Sequence, residues 1–447
     1  MGFADMKAPS NFILSPRWLA TVVPRRAPLE NYSVVVQAGK ISDILAAPDA
    51  DQKYRGLPKY QLNDHLLIPG LINMHGHAAM TLLRGYADDL PLMQWLNDEI
   101  WPAEARWVDA DFVRDGCLLA ISEMLLSGTT TFSDQYFFPN ITAQAALEAG
   151  IRSQITFPVL EFPSAWAKDA ADYLKKGLDV RDQYRTNSLV KIAFGPHAPY
   201  TVSDETFKEI VKYSNELQAE IQVHLHETEF EVAESIKEHG KRPIQRLYEL
   251  GVLGPNTQCV HMTQLNDEDL EILQKTNSTV VHCPSSNLKL ASGFCPIKSL
   301  KDRDINICIG TDGAASNNNL DLLKEVRLAS LLAKGSSGDP TCLDAHSSLE
   351  CVTINAAKAL GMEDEIGSIE VGKQADLTAI KLNGAESAPL YDAVSQLIYS
   401  ANSTNFTHSW VQGKLVMEDR KLTNLHLATI IKKAKHWAER IRGASND

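Results

Sequence analysis

Between residues 67 and 365, the chain alternates short apolar runs with longer segments in which apolar residues recur at helical spacing. Eight of the apolar runs have the length of buried strands, and they end near His77, Asp134, Val159, His197, Glu227, Met262, Pro284 and Asp312. Helical spacing covers residues 111–126, 142–149, 203–217, 229–250 and 267–274. Eight strands with intervening helices predict an α/β protein, a (β/α)₈ barrel of the TIM type.

The two ends of the chain differ from the middle, because their short apolar runs are separated by turn residues. These predicted strands cover residues 12–14, 32–37, 41–45, 375–382 and 409–417, and an amphipathic helix over about 425–441 follows them. We expect residues 1–66 and 366–447 to form one small composite β-sandwich domain around a barrel of residues 67–365. The tryptophan-rich residues 78–108 are long for a barrel loop and are predicted to form a lid or a pocket wall.

Composition narrows the class of protein without identifying a substrate. The formal net charge is −13 at pH 7, which argues against nucleic-acid backbones and anionic membranes as partners. The first ten residues contain no apolar segment of the signal-peptide kind, and the seven cysteines include no C-x-x-C pair. We therefore expect a cytoplasmic protein that acts on a small molecule, with neither a nucleic acid nor a membrane as partner.

Potential metal ligands stand at the predicted strand ends. They are His75 and His77 after the first strand, His224 in the fifth and Asp312 after the eighth. Residues two apart in a strand point to the same side, so His75 and His77 can reach one ion. Barrel enzymes build their sites where the carboxyl ends of the strands meet. Three imidazoles and a carboxylate suit Zn²⁺ or a similar divalent ion with a position left for water, so the set predicts metal-assisted hydrolysis.

Two further side chains stand beside these ligands. Glu227 is predicted to be a proton shuttle, because a carboxylate next to an activated water can take its proton and pass it on. His261 is predicted to orient that water or to bind a second metal. His226 is interpreted as a supporting or surface histidine rather than a ligand. The fourth strand ends in His197 and not in the lysine that binuclear hydrolases of this barrel type often use, which favours one metal over two.

Seven motifs in this order cover nearly the whole chain. They are residues 69–77 (PGLINMHGH), 101–104 (WPAE), 195–200 (GPHAPY), 223–227 (VHLHE), 282–289 (HCPSSNLK), 310–317 (GTDGAASN) and 367–373 (GSIEVGK). With them the chain resembles the amidohydrolase superfamily and, within it, the 5-methylthioadenosine/S-adenosylhomocysteine deaminases and their chlorohydrolase relatives.

The resemblance implies a role for each matching position. The ligands of one divalent ion, Zn²⁺ in preference to Fe²⁺ or Mn²⁺, would be His75, His77, His224 and Asp312. The catalytic residues would be Glu227 as proton shuttle, His261 as the residue that orients and helps to deprotonate the water, and Asp312. The substrate-binding residues would be Glu104 on the ribose hydroxyls, His197 on the purine, Glu227 and Ser316, and we add Trp95 from the tryptophan-rich segment. The resemblance also implies a homodimer or a larger homo-oligomer.

We therefore expect hydrolytic deamination of the adenine ring of 5′-methylthioadenosine to the inosine analogue and ammonia, with S-adenosylhomocysteine and adenosine as further candidate substrates. Relatives that take S-adenosylhomocysteine often carry arginines after the third strand, whereas residues 156–170 here contain none. The alternatives are a deaminase or chlorohydrolase acting on another purine, a pyrimidine or an s-triazine, and a non-catalytic metal-binding barrel.

Overall fold

A computed structural model describes residues 9–443 of the protein. Its strands are β1 (Phe12–Leu19), β2 (Leu29–Glu30), β3 (Tyr32–Gln37), β4 (Lys40–Ala46), β5 (Lys59–Pro69), β6 (Leu71–Asn73), β7 (Thr129–Asp134), β8 (Arg152–Val159), β9 (Val190–Pro196), β10 (Ile221–Leu225), β11 (Thr257–His261), β12 (Thr279–His282), β13 (Ile307–Ile309), β14 (Leu377–Lys381), β15 (Phe406–Val411), β16 (Lys414–Glu418) and β17 (Lys421–Leu422).

The α-helices are α1 (Ala47–Lys53), α2 (Leu92–Gln94), α3 (Trp101–Trp107), α4 (Ala110–Leu126), α5 (Pro139–Ala149), α6 (Ala170–Tyr184), α7 (Asp204–Leu217), α8 (Glu229–His239), α9 (Pro243–Glu249), α10 (Asp267–Thr276), α11 (Pro284–Lys289), α12 (Ile297–Lys301), α13 (Ala314–Asn317), α14 (Leu322–Ser337), α15 (Ala345–Cys351), α16 (Ile354–Ala359), α17 (Ala393–Tyr399) and α18 (Leu427–Gly443). A π-helix over Trp95–Ile100 joins α2 to α3.

The strands β6 to β13 form the predicted eight-stranded parallel barrel, in chain order around the sheet. The first and last strands meet through a hydrogen bond from the Met74 backbone nitrogen to the Ile309 carbonyl, 3.1 Å long. Gly310 allows this close approach, because a Cβ there would lie 2.8 Å from the Cβ of His75. The sequence-based prediction of a (β/α)₈ barrel is confirmed.

The two ends of the chain pair into a second, nine-stranded mixed sheet. In it, β5 pairs with β1 from the N-terminal part and with β14 from the C-terminal part. Residues 66–77, which read as one barrel strand in the sequence, instead divide at Gly70, where the chain leaves β5 and enters β6. The domain boundaries at residues 66 and 366 remain a proposal, and β5 runs three residues past the first of them to Pro69.

The structure differs from the sequence-based prediction in the bounds of several elements. The single helix predicted over residues 229–250 is wrong, because the structure has α8 and α9 there. Gly240 ends α8 in a left-handed conformation with φ of +69°, and Pro243 begins α9. The last helix, α18, packs on the barrel helix α4, where Trp437 meets Phe112 edge to face with ring centroids 5.3 Å apart.

A buried ion pair connects the amino-terminal end of the barrel strands to the second sheet. Arg152, the first residue of β8, donates from Nε to Asp376 Oδ2 over 2.8 Å and from Nη1 to the Ser188 carbonyl. Both charged side chains are 2% exposed. Arg152 therefore supports the fold and lies at the opposite end of the strand from the predicted metal ligands.

No helix within residues 9–443 combines the length and the apolar character needed to cross a bilayer. All seven cysteines are free and buried. The first eight residues, on which the expectation about targeting partly rests, lie outside the described part of the chain.

Replacing Asp376 by asparagine should strongly destabilise the fold, because it leaves the Arg152 guanidinium buried without a counter-charge. Breaking a buried pair in this way costs about 3–5 kcal/mol, and chemical denaturation would measure the loss. The control is Arg114→Ala, which breaks an exposed pair with Glu148 and should cost less than about 1 kcal/mol. Equal losses in the two variants would show that the buried pair does not hold the two sheets together.

Candidate active site

Four donor atoms from three barrel strands converge at the carboxyl end of the barrel. The Nε2 atom of His75 is 3.1 Å from Nε2 of His224 and 3.5 Å from Oδ1 of Asp312. The Nε2 atom of His77 is 3.2 Å from the same carboxylate oxygen. Neighbouring ligands of a zinc ion with metal–nitrogen distances of about 2.0–2.1 Å lie about 3.3 Å apart, so these three separations suit adjacent ligands of one ion. His75, His77 and Asp312 lie within 4.8 Å of one another, and so do His75, His224 and His261, so the donors form two overlapping groups that share His75.

Each imidazole has its other ring nitrogen against a hydrogen-bond acceptor. His77 Nδ1 lies 2.6 Å from the Gln135 carbonyl, and His224 Nδ1 lies 2.6 Å from the His197 carbonyl. His75 Nδ1 lies 2.8 Å from Oε1 of a buried glutamine on β10, Gln222. Since carbonyl oxygens only accept, each Nδ1 carries a proton, and each Nε2 faces the cluster.

A positive charge between these donor atoms would stabilise their arrangement. Burial lowers the pKa of His224 well below its usual value and also lowers the pKa of His75, so both rings are neutral. Two neutral imidazoles cannot share a hydrogen bond when both protons sit on Nδ1. Burial also opposes charge on His77, but the hydrogen bond and charge of Asp312 outweigh it and raise that pKa to about 9. The donor set thus fits a divalent cation.

The second oxygen of Asp312 is held away from this centre. Hydroxyls of Ser286 and Ser316 donate to Oδ2 over 2.6 and 3.0 Å, while Oδ1 accepts the Gly313 backbone N–H and faces the histidines. Asp312 has a left-handed backbone with φ of +60°, which is costly for a residue with a side chain. The predicted substrate-binding residue Ser316 thus contacts Asp312 directly and also lines the cavity.

Glu227 and His261 lie next to each other beside the four donors. Nε2 of His261 is 3.7 Å from Oε2 of Glu227, and both side chains are buried. Burial, followed by the charge of Asp312, raises the pKa of Glu227 to about 8. His261 also has a left-handed backbone, with φ of +79°. The pair can therefore take a proton from a nearby water and return it to a substrate atom.

The site opens into a cavity of about 180 Å³. Residues 92–108 form one wall, so the predicted lid or pocket wall lines the cavity. Trp101 from this wall meets Phe162 from the opposite side, with ring centroids 6.0 Å apart. Trp95 also lines the cavity, while its indole N–H donates to the Ala87 carbonyl within the same segment. The outer part of the cavity is thus mainly aromatic and aliphatic.

One carboxylate interrupts this apolar wall. Glu104 on α3 accepts a hydrogen bond of 2.6 Å from the Tyr136 hydroxyl, and burial raises the pKa of Glu104 to about 7. Tyr136 follows β7 and was not singled out from the sequence, where its only signal is a position two residues beyond a predicted strand end. The contact links the lid segment to the barrel and fixes the direction of the carboxylate.

Of the two remaining histidines discussed from the sequence, His197 lies at the cavity and His226 does not. His197 lines the cavity, and its Nδ1 lies 3.1 Å from the Thr201 hydroxyl. His226 faces away from the donors, where its Nε2 accepts the Ile244 backbone N–H and its Nδ1 bonds the Gln264 carbonyl. Lys191 lies at the far end of its strand and pairs with Glu220.

The fold and the donor set define the class of metal-dependent hydrolases built on (β/α)₈ barrels. The chain belongs to the amidohydrolase family, whose model matches residues 66–416. It is 50% identical over 98% of each chain to a protein of Saccharophagus degradans named 5-methylthioadenosine/S-adenosylhomocysteine deaminase. It is 42% identical to a 5′-deoxyadenosine deaminase of Methanobrevibacter smithii, over 85% of this chain and 87% of that protein.

A solved structure is similar over the whole fold. An adenosine deaminase from Xanthomonas campestris with bound zinc superposes with a TM-score of 0.94 and 42% identity, covering 98% of this chain and 100% of that one.

Removing one of the four donors should remove the metal. We expect His224→Ala to lower the bound zinc, measured by elemental analysis, from one ion per chain to a small fraction of that, because a remaining donor set of three binds less tightly. The exposed His239→Ala is the control and should keep the full metal content. Unchanged zinc in the His224 variant would show that the ion binds elsewhere.

Proposed function

We propose that the protein is a metal-dependent aminohydrolase that deaminates the adenine ring of 5′-methylthioadenosine, giving the 6-oxo purine nucleoside and ammonia. The observation that supports this most directly is one cavity that holds a divalent-metal donor set, a proton shuttle and a separate carboxylate for the sugar. The donor set is His75, His77, His224 and Asp312, of which the last three line the cavity together with Glu227 and Glu104. The similarity to proteins named as deaminases of 5′-modified adenosines supports the same reaction.

We assign the four converging donors, His75, His77, His224 and Asp312, to one Zn²⁺, with Fe²⁺ and Mn²⁺ as alternatives. A divalent ion supplies Lewis acidity, which lowers the pKa of water to near neutrality and so makes a nucleophile available. One ion is favoured over two because the cavity offers no lysine as a bridging ligand within residues 9–443.

Glu227 is assigned the proton transfer. Its carboxyl group can accept a proton from the attacking water and deliver it to N1 of the adenine while the water oxygen bonds to C6. His261, 3.7 Å away, keeps the water oriented through Nε2, and Asp312 accepts a hydrogen bond from it. The second proton of the water then moves to the exocyclic nitrogen, the C6–N bond breaks, and ammonia leaves while N1 keeps the first proton in the 6-oxo product.

His197 is assigned to the purine ring. Burial lowers the pKa of His197 to about 3, so the ring is neutral. The Thr201 hydroxyl lies 3.1 Å from both Nδ1 and the Ala198 carbonyl, and when its proton is directed to Nδ1, Nε2–H is the donor for an acceptor atom such as N3 of adenine. A neutral donor suits a neutral heterocycle, since no charge has to be buried with it.

Glu104 is assigned to the ribose. Tyr136 occupies part of the acceptor capacity of Oε1, so the other oxygen is available for the 2′- and 3′-hydroxyls. An s-triazine has no vicinal hydroxyl groups, and a buried carboxylate would be left without a partner on binding it. Glu104 therefore favours a nucleoside over the triazine alternative.

The 5′ end of the substrate is assigned to the aromatic wall of Trp95, Trp101 and Phe162. Within residues 9–443, no lysine or arginine lines the cavity. A neutral methylthio group fits this wall without loss of hydration, whereas the carboxylate of S-adenosylhomocysteine would have no cation to pair with. We therefore rank S-adenosylhomocysteine and adenosine below 5′-methylthioadenosine as substrates.

We place the enzyme in the cytoplasm, which the seven free thiols support. Its expected homo-oligomeric state stays a prediction.

The Glu227→Gln variant should retain metal and substrate binding but lose turnover by about 10²–10⁴-fold, because an amide cannot carry the proton. Ammonia release from 5′-methylthioadenosine measures kcat, and equilibrium binding of the inosine analogue measures the ligand affinity. Glu229→Gln, an exposed glutamate two residues away, is the matched control. A Glu227→Gln enzyme with near wild-type kcat would contradict the assignment and leave a non-catalytic role for this carboxylate.

The Glu104→Ala substitution should lower kcat/KM mainly for substrates that have ribose hydroxyls. Hydrogen bonds to a charged group contribute roughly 1.5–3 kcal/mol each, so kcat/KM for 5′-methylthioadenosine should fall at least tenfold by this estimate. Its 2′,3′-dideoxy analogue should lose far less. Asp98→Ala, an exposed carboxylate in the same lid segment, is the control. Equal losses for the two substrates would mean that Glu104 does not bind the ribose, and a free base or a triazine would then be favoured.

A further inference from the structure

The short helix α11 lies directly behind the catalytic side chains but contributes no residue to the cavity lining that the structure describes. It belongs to the motif over residues 282–289. Two consecutive residues of this helix, Ser286 and Asn287, are completely buried. Buried polar side chains need specific partners, and the nearest partner of each of these two is a residue of the active site.

Asn287 contacts the water-orienting histidine. Its Oδ1 atom lies 2.8 Å from Nδ1 of His261, and its Nδ2 atom lies 3.4 Å from Nδ1 of His282. An amide oxygen only accepts, so Nδ1 of His261 carries the proton and Nε2, on the side of Glu227, is left as an acceptor. The opposite tautomer would present an N–H to the water and could not take its hydrogen bond.

The backbone does not by itself set this ring in place. His261 ends β11 with φ of +79°, outside the regular strand conformation that orients side chains across a sheet. The ring orientation therefore depends on what its polar atoms contact, and Asn287 is the partner that the structure gives to Nδ1.

Ser286 performs the equivalent task for Asp312. Its hydroxyl donates to Oδ2 over 2.6 Å and, together with the Ser316 hydroxyl at 3.0 Å, keeps Oδ1 directed at His77, 3.2 Å away. Asp312, like His261, has a left-handed backbone just beyond a barrel strand. One helical turn thus contacts two site residues whose backbones have left the regular strand conformation.

We propose that Ser286 and Asn287 are positioning residues of the reaction, which act together through α11. Asn287 fixes the tautomer and ring plane of His261, and Ser286 fixes which oxygen of Asp312 faces the site. The proposal rests on the proposed function, because the roles of His261 and Asp312 are assigned there.

The first test compares Asn287→Leu with Asn287→Asp and Ser286→Ala. Loss of a supporting partner of this kind costs about 10–100-fold, and we expect that loss in kcat for Asn287→Leu and Ser286→Ala. KM should stay within about threefold of wild type, because neither residue lines the cavity. Asn287→Asp should retain more activity than Asn287→Leu, since a carboxylate also accepts from Nδ1. Ser285→Ala is the control, because it removes a hydrogen bond of the same helix to Glu325.

The second test asks whether Asn287 acts through His261. In a His261→Ala background, Asn287→Leu should cause no further loss of kcat, because the residue it positions is already gone. A crystal structure of the zinc-loaded Asn287→Leu protein provides a readout that needs no substrate. We expect the imidazole of His261 to be rotated or split between two orientations, with zinc still bound.

The proposal is overturned if Asn287→Leu leaves the His261 ring unmoved, if it loses zinc, or if its effect on kcat is the same with and without His261. It is also overturned if Asn287→Asp is less active than Asn287→Leu. A wild-type enzyme that does not deaminate adenine nucleosides would contradict the proposed function, whereas the ring orientation in the crystal structure would still decide the role of Asn287.

Discussion

The site depends on one constraint, which is that the imidazoles must direct unprotonated nitrogens at a single point. Left alone, the lone pairs of His75 and His224 would repel each other at 3.1 Å. The protein holds them there because each Nδ1 donates to an acceptor that the barrel has already fixed. For His224 that acceptor is the backbone carbonyl of His197 on the neighbouring strand, so the strand pairing itself sets the tautomer. A divalent cation relieves the repulsion and is thus selected by the fold.

Two residues of the site also depart from regular strand geometry. His261 and Asp312 both adopt positive φ values, and such residues cost of order 1–3 kcal/mol each when they are not glycine. Tightly packed barrel strands and a buried ion pair between Arg152 and Asp376 at the opposite end can hold such conformations.

Much of the fold was predictable because its signals are local. Eight apolar runs predicted the barrel strands, and the helix over residues 203–217 differs from α7 by one residue. The break between α8 and α9 was missed although Gly240 and Pro243 mark it, because apolar spacing continues across the turn. The division at Gly70 was also missed, since buried strands of two different sheets both appear as continuous apolar residues.

The candidate site was predictable only in part. Ligand-type residues after apolar strands stand out in a sequence, whereas their partners are found by three-dimensional contact. Tyr136, Gln222 and Asn287 are distant in sequence from the residues they orient, and each is an ordinary polar residue in isolation.

Zinc K-edge X-ray absorption most directly tests the central claim, which is that one zinc ion is held by histidine nitrogens and a carboxylate oxygen. The account predicts nitrogen and oxygen neighbours at about 2.0–2.1 Å with imidazole outer-shell scattering and one zinc per chain. Sulfur scattering near 2.3 Å, or a second metal at about 3.5–4 Å, would contradict it.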